Sequence, residues 1–164
     1  MTRLRIEKAT ARDVPLILRF IKELAEYEKM LHGVTATEES LRETLFGPGP
    51  AAEALLAYDD EEPVGFAIYF FNYSSFVDRR GLYLEDLFVR PEARGKGAGR
   101  QLLSHLAGIA IERGCCRLEW AVLDWNQPAI GFYKRLGAHA MDDWTVFRLS
   151  GEALQNLAGQ WPAR

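Results

Sequence analysis

A short glycine-rich run between two apolar segments is the feature that most constrains the fold. Its sequence is Arg94-Gly95-Lys96-Gly97-Ala98-Gly99-Arg100. The run follows a strand-like segment, Leu82 to Val89, and precedes apolar residues at helical spacing that stop at Gly114. The start of a helix leaves backbone N–H groups without partners, and with the helix dipole these groups favour a phosphate or pyrophosphate. Since three cations accompany the glycines, the run is predicted to bind an anion.

Three phosphate-binding motifs can be compared with this run. A Walker loop needs Gly-Lys followed by Ser or Thr, but Gly97 follows Lys96. A dinucleotide fingerprint needs a third glycine where Arg100 stands. What remains is Arg-x-x-Gly-x-Gly, formed by Arg94, Gly97 and Gly99. A plain strand-to-helix turn without a ligand is the alternative, and the cations favour the anion-binding interpretation.

Predicted strands and helices alternate along the rest of the chain. Strands are predicted at Leu4 to Glu7, Ala54 to Tyr58, Val64 to Tyr73, Leu82 to Val89, Arg117 to Leu123 and Thr145 to Leu149. Helices are predicted from about residue 11 to 29 after Thr10, from Thr37 to Gly47, from Arg100 to Gly114, and from Pro128 to Gly137. This order predicts an α/β fold with a mixed sheet, and 164 residues favour a single domain over 1–164.

Composition and charge narrow the possible partners. Hydrophobic residues make up 48% of the chain and charged residues 26%, as in ordinary globular proteins. The formal net charge of −3 has the wrong sign for a protein whose main partner is nucleic acid. No apolar run is long enough to span a bilayer, and the N-terminus lacks a signal-peptide core. The only cysteines, Cys115 and Cys116, are adjacent and so offer no disulfide framework. His32, His105 and His139 lack metal-ligand spacing. We therefore expect a cytoplasmic protein without a metal, a membrane contact or a nucleic-acid partner.

Two adjacent carboxylates, Glu85 and Asp86, stand in an otherwise apolar predicted strand. Burying them is costly unless they are paired or functional. Salt bridges to arginines such as Arg79, Arg80 or Arg117 explain them as well as a catalytic role does, so the residues alone leave both interpretations open.

Other candidate residues also have ordinary explanations. Tyr133 follows Phe132 on the helix opened by Pro128, and core packing is the usual role of such aromatic pairs. Tyr27 and Glu28 lie at the end of the first predicted helix, where a solvated face is common.

Several segments together resemble a known family. Arg94-x-x-Gly97-x-Gly99 resembles the pyrophosphate motif of the GNAT superfamily of acetyl-CoA-dependent N-acetyltransferases. The segments 22–28, 83–89 and 125–134 resemble the diamine (spermidine/spermine) N-acetyltransferase family, including its thialysine N-epsilon-acetyltransferase branch, and the resemblance extends from about residue 3 to 150. It implies a GNAT fold with a mixed twisted central sheet of six or seven strands and about four flanking helices. It also implies acetyl transfer from acetyl-CoA to a primary amine of a small cationic substrate, thialysine-like or a diamine or polyamine, by a homodimer.

The resemblance also implies roles for individual residues. Glu85 would bind the amine and help remove its proton, with Asp86 in support, and Tyr133 would protonate the coenzyme sulfur as the general acid. Coenzyme contacts are implied for Leu87, Phe88, Val89, Arg94, Gly95, Lys96, Gly97, Ala98, Gly99, Arg100, Asn126, Gln127, Pro128 and Ala129. Substrate contacts are implied for Tyr27, Glu28, Glu85, Asp86, Glu119, Trp120 and Ala121.

One loop departs from the polyamine-acetylating members. Ser74 stands where those members carry an acidic residue, Phe76 stands where they carry a tryptophan, and Asp78 lies nearby as a substitute charge. We therefore expect a preference for a short amine with an amino-acid head over spermidine or spermine. A protein lysine or N-terminal acetyltransferase and a non-catalytic acyl-CoA-binding module are the alternative functions.

Overall fold

The computed structural model describes residues 3–162. The chain forms two compact units, Met1–Ala121 and Val122–Arg164. The first unit contains a sheet with the order β1-β2-β3-β4-β5. Its strands are β1 Leu4–Lys8, β2 Glu53–Asp59, β3 Glu62–Ser74, β4 Arg79–Val89 and β5 Leu118–Trp120. The first four strands pair antiparallel and β5 pairs parallel to β4, so the predicted mixed α/β sheet is confirmed.

The described residues of the first unit include three α-helices, α1 Val14–Tyr27, α2 Glu38–Phe46 and α3 Ala98–Glu112. Of these, α2 begins directly after its predicted cap Thr37. Residues 11–13 form a 3-10 turn before α1, closed by the Thr10 N–H donating to the Asp13 carboxylate at 2.7 Å. The Thr37 hydroxyl caps α2 by accepting from the Ser40 N–H at 3.1 Å. The predicted helix over 11–29 is therefore shorter at both ends, and α3 begins two residues before Arg100.

An aromatic core fixes the middle of α1 against the sheet. The rings of Phe20 and Phe66 stack with centroids 5.4 Å apart, and Phe88 lies 6.4 Å from Phe20. Burial of each such side chain contributes roughly 1.5–3 kcal/mol. Next to this stack, the Arg90 guanidinium binds the Glu23 carboxylate through Nε at 3.0 Å and Nη2 at 2.9 Å. The end of β4 and the C-terminal half of α1 are thus held together.

The second unit contains α4 Gln127–Arg135 and α5 Gly151–Ala158. Pro128 lies in the first turn of α4, and Gly137, with φ +93°, follows its end, as predicted. The predicted strand over Thr145 to Leu149 is wrong, because these residues form no regular structure and find no strand partner in the described chain. Over residues 3–162 the sheet therefore has five strands and not six or seven, and five α-helices accompany it.

None of the helices within residues 3–162 combines the length and apolar character that crossing a membrane requires.

Candidate active site

The pairing of β4 changes at Glu85. Before this residue, Leu82 to Leu84 pair with β5. At Glu85 the register against β3 shifts, because Ile68 pairs with Asp86 whereas Tyr69 pairs with Leu84. Glu85 is thus the extra residue of a β-bulge, a distortion that bends a strand and redirects its side chains. Beyond it, the β4 edge opposite β3 has no strand partner among the described residues.

This open edge presents backbone N–H groups from alternate residues of β4. The Arg90 N–H donates to the Val64 carbonyl of β3 at 2.8 Å. Since alternate residues of an antiparallel pair face the same neighbour, the Phe88 N–H also faces β3. The N–H groups of Leu87 and Val89 then face away from β3. On that side the Val89 carbonyl accepts from Arg94 Nε at 2.8 Å.

Three carboxylates meet at the bulge. Burial, followed by the neighbouring charges of Glu85 and Glu28, raises the pKa of Asp86 to about 7. Burial also raises the pKa of Glu28. We call these three residues the acidic cluster. Glu28 follows the last residue of α1, so the packing of α1 on β4 brings the cluster together.

The salt-bridge explanation for Glu85 and Asp86 does not hold in the structure. Arg117 pairs with Glu119 on β5, Nε to Oε1 at 2.7 Å. No ion pair within residues 3–162 includes Glu85 or Asp86. The cluster therefore holds negative charge without a compensating cation, which suits a positively charged ligand.

The predicted substrate residues on β5 lie beside the upstream half of the bulge. Glu119 pairs in register with Tyr83, and Trp120 with Leu84. Burial, then the charges of Glu85 and Glu119, raise the pKa of the Tyr83 hydroxyl. Glu119 and Trp120 are half-buried, whereas Ala121 is exposed.

Aromatic rings connect the acidic cluster to the glycine turn. The Tyr27 ring lies 6.5 Å from that of Phe88. The Arg94 guanidinium stacks over both rings, 4.7 Å from the Tyr27 centroid and 5.7 Å from the Phe88 centroid. The sequence did not predict this role for Arg94, since nothing local indicates which rings a guanidinium will meet.

The glycine turn has the backbone that an anion-binding loop requires. Gly95 and Gly97 have φ of +79° and +96°, values that side chains rarely allow, and Gly97 is the N-cap of α3. A Cβ at Gly95 would meet nothing within 4 Å, so the space beside the turn is open. Ala98 is 2% exposed, so only its backbone is available to a ligand. The N-terminal N–H groups of α3 therefore fit a pyrophosphate that approaches this surface.

The cations of the turn are engaged to different degrees. Lys96 lies 3.7 Å from the Asp59 carboxylate, Nζ to Oδ2. Arg100 is exposed and makes no ion pair with the residues that the structure describes.

The predicted residues of the second unit lie at the start and middle of α4. The Asn126 side chain accepts from the Ala129 N–H at 3.4 Å and so caps the helix. Gln127 Nε2 donates to the Asp124 carbonyl at 2.9 Å. Tyr133 is half-buried, with its ring centroid 5.6 Å from that of Phe132. Their predicted coenzyme and acid roles stay predictions.

The mixed sheet, the bulged β4 and the glycine-capped α3 define an α/β protein. Residues 19–138 match the family model described as the acetyltransferase (GNAT) family. The chain therefore belongs to the GNAT acetyltransferase family and is an acetyltransferase, as the resemblance predicted.

Individual relatives agree with this assignment. The thialysine N-epsilon-acetyltransferase of Bos taurus is 42% identical, over 94% of this chain and 97% of the relative. The L-ornithine N5-acetyltransferase of Arabidopsis thaliana is 34% identical, over 93% of this chain and 87% of its own. Among solved structures, an integron cassette protein from the mobile metagenome of V. cholerae matches with a TM-score of 0.80 and 30% identity, over 94% and 97% of the two chains.

Proposed function

We propose that this enzyme transfers an acetyl group from acetyl-CoA to a primary amine of a small cationic substrate. The acidic cluster carries the proposal, because three carboxylates share one partly buried site without a cation. A thialysine-like amine is the preferred substrate, with diamines and polyamines as weaker ones. The names of the relatives support this class, since they act on thialysine and on L-ornithine.

The acidic cluster would bind the substrate ammonium and take its proton. A primary amine with a pKa near ~10.4 is only about 0.1% neutral at pH 7.4, which costs roughly 4 kcal/mol. Glu85 is the base that the family resemblance implies. Asp86 shares that task in our proposal, because a carboxyl with a pKa of about 7 accepts a proton near neutral pH. A direct transfer and a transfer through water are both compatible with this pair.

The glycine turn and the open edge of β4 would hold the coenzyme, which supplies the acetyl group as a thioester. Backbone N–H groups from Gly95 to Arg100 would bind its pyrophosphate, aided by the Arg100 charge. The N–H groups of Leu87 and Val89 would donate to the thioester carbonyl. Tyr133 would donate its hydroxyl proton to the departing thiolate, a role that rests on the family resemblance alone.

The experiment is a thiol-release assay with acetyl-CoA and a panel of thialysine, lysine, putrescine, spermidine and spermine. We expect turnover with thialysine that falls by about 10²–10⁴-fold in Tyr133→Phe, which keeps the ring and removes the proton donor. Absence of turnover with every amine would leave a non-catalytic acyl-CoA-binding module. Turnover only with a lysine-containing peptide would favour the protein acetyltransferase.

We further propose that both compact units form one acetyltransferase domain, that the enzyme is a homodimer and that it works in the cytoplasm. The family match at residues 19–138 supports the first statement, because it includes parts of both units. The exposed side chains of Val146 and Phe147 support the second, since apolar surface of this kind is typical of an interface.

A further inference from the structure

A cavity lies toward the other end of β3 and β4 from the acidic cluster. Its volume is about 650 Å³, within the range of small-molecule sites. Its lining includes the six residues Glu53, Tyr69, Phe71, Asn72, Arg80 and Arg113. Arg80 and Asp86 are six residues apart on β4, which corresponds to roughly 20 Å along a strand.

Two guanidinium groups share one aromatic ring in this cavity. The central carbons of Arg80 and Arg113 lie 5.7 Å and 5.4 Å from the Phe71 centroid. Phe71 in turn packs edge-on against Tyr69, with centroids 6.2 Å apart and planes at 88°. Tyr69 is 1% exposed, so its buried ring holds the Phe71 ring in place.

The two positive charges are poorly compensated. Arg80 forms no ion pair within residues 3–162. Arg113 lies 3.8 Å from Glu53, Nη2 to Oε1. The same Glu53 oxygen is held more closely by Lys8, at 2.7 Å. The cavity is thus locally positive in a chain whose formal net charge is −3.

We propose that this cavity binds a small organic anion with a flat apolar body, of the aromatic carboxylate class. The carboxylate accepts hydrogen bonds from the guanidinium groups of Arg80 and Arg113, and the flat body packs against Phe71. Such a ligand is opposite in charge to the substrate of the acidic cluster. Because the cavity also lies toward the other end of β4, the site is distinct from the proposed amine site and does not depend on the proposed function.

The test is calorimetric titration of the full chain with sodium benzoate, in the presence of saturating CoA so that the glycine turn is occupied. Benzamide is the uncharged ligand of the same shape. We expect saturable benzoate binding that weakens about tenfold or more in Arg80→Gln and in Arg113→Gln, and benzamide binding that is weaker to a similar extent. Arg79→Gln is the matched control, since Arg79 is exposed, adjacent on β4 and absent from the cavity lining.

A second readout locates the ligand. In amide NMR spectra, benzoate is expected to shift the signals of residues 69–73 in the wild type and not in Arg80→Gln. Any of three results overturns the proposal: benzoate does not saturate at millimolar concentration, benzamide binds equally well, or Arg79→Gln weakens binding as much as Arg80→Gln.

Discussion

At the residue scale, the main electrostatic effect of the site is the raised pKa of Asp86. Its pKa is raised from 3.8 to about 7, first by burial and then by Glu85 and Glu28. Since the folded-state pKa lies above the unfolded value, the folded state binds the proton more tightly. The stability from this proton is complete below pH 3.8 and is lost as the pH rises through 7.

Replacement of Asp86 by asparagine should therefore stabilise the fold at alkaline pH. The raised pKa of Asp86 costs up to about 4 kcal/mol of unfolding free energy at pH 8.5 and about 1.6 kcal/mol at pH 5, so Asp86→Asn should stabilise the fold much more at pH 8.5 than at pH 5. Urea unfolding at both pH values measures the difference. The exposed Asp142→Asn is the control, with no pH-dependent change expected. Equal destabilisation by Asp86→Asn at both pH values would show that Asp86 has another structural role.

Gly97 is the residue on which the coenzyme loop depends. Its φ of +96° and its place before α3 bring the backbone to the surface where a pyrophosphate would bind. Gly97→Glu adds a side chain and a negative charge there, so we expect acetyl-CoA affinity to fall at least about tenfold. Gly108→Glu makes the same change on the exposed side of α3 and should have no effect. Unchanged calorimetric affinity in a folded Gly97→Glu protein would remove the coenzyme from this turn.

At the element scale, local sequence signals predicted α1 to α4 and the five strands because caps, glycines and periodicity determine those elements. Thr145 to Leu149 shows the limit of such signals. Its valine, threonine and phenylalanine favour a strand, but a strand also needs a hydrogen-bonded neighbour, which sequence does not reveal. The bulge at Glu85 was unpredictable for the same reason, since it depends on the register between β3 and β4.

The acidic cluster was predicted only in part. The family resemblance named Glu85 as the base, Asp86 in support and Glu28 as a substrate residue, but the raised pKa of Asp86 was not predictable, because it depends on burial by residues distant in sequence. The engagement of Arg94 with Tyr27 likewise arises from the packing of α1 on β4.

The hairpin between β3 and β4 is expected to determine the choice of amine. Asp78, the substitute charge, accepts a hydrogen bond from the Tyr73 hydroxyl, whereas Phe76 is 98% exposed at the tip. Ser74 pairs with Arg79, seven residues and roughly 23 Å along β4 from Asp86, so the hairpin reaches the amine only where the proposed homodimer brings it to the acidic cluster of the other chain. There the double variant Ser74→Asp, Phe76→Trp adds one ammonium contact of roughly 1.5–3 kcal/mol. We expect kcat/KM for spermidine relative to thialysine to rise about 10–150-fold.

The matched control for the hairpin is Ser104→Asp on exposed α3, which adds the same charge away from the loop. An unchanged ratio of spermidine to thialysine in the double variant, or an equal change in the control, would contradict a role of Ser74 and Phe76 in specificity.

At the scale of the whole molecule, the charge pattern of the first unit separates two kinds of ligand. The acidic cluster lies at the Val89 end of β4 and suits a cation, whereas Arg80 lies at the other end beside a positively charged cavity. The same sheet can therefore hold ligands of opposite charge about 20 Å apart.

The proposed homodimer predicts a solution mass near twice the 18.6 kDa of one chain. Light scattering after size-exclusion chromatography measures this mass directly. Val146→Ser with Phe147→Ser removes exposed apolar surface and is expected to shift the mass toward 18.6 kDa, while serine substitution of exposed Ile111 on α3 leaves it unchanged. A wild-type mass of 18.6 kDa at micromolar concentration would contradict the dimer.

The most direct test of the central claim is the pH dependence of kcat/KM for thialysine with acetyl-CoA. If the acidic cluster takes the proton of the amine, the acidic limb of the wild-type profile has an apparent pKa of about 7. In Asp86→Asn this limb is lost and kcat/KM at pH 7.5 falls by about 10²-fold or more, whereas Asp142→Asn retains the wild-type profile. An Asp86→Asn enzyme with the wild-type limb and undiminished kcat/KM would contradict the claim.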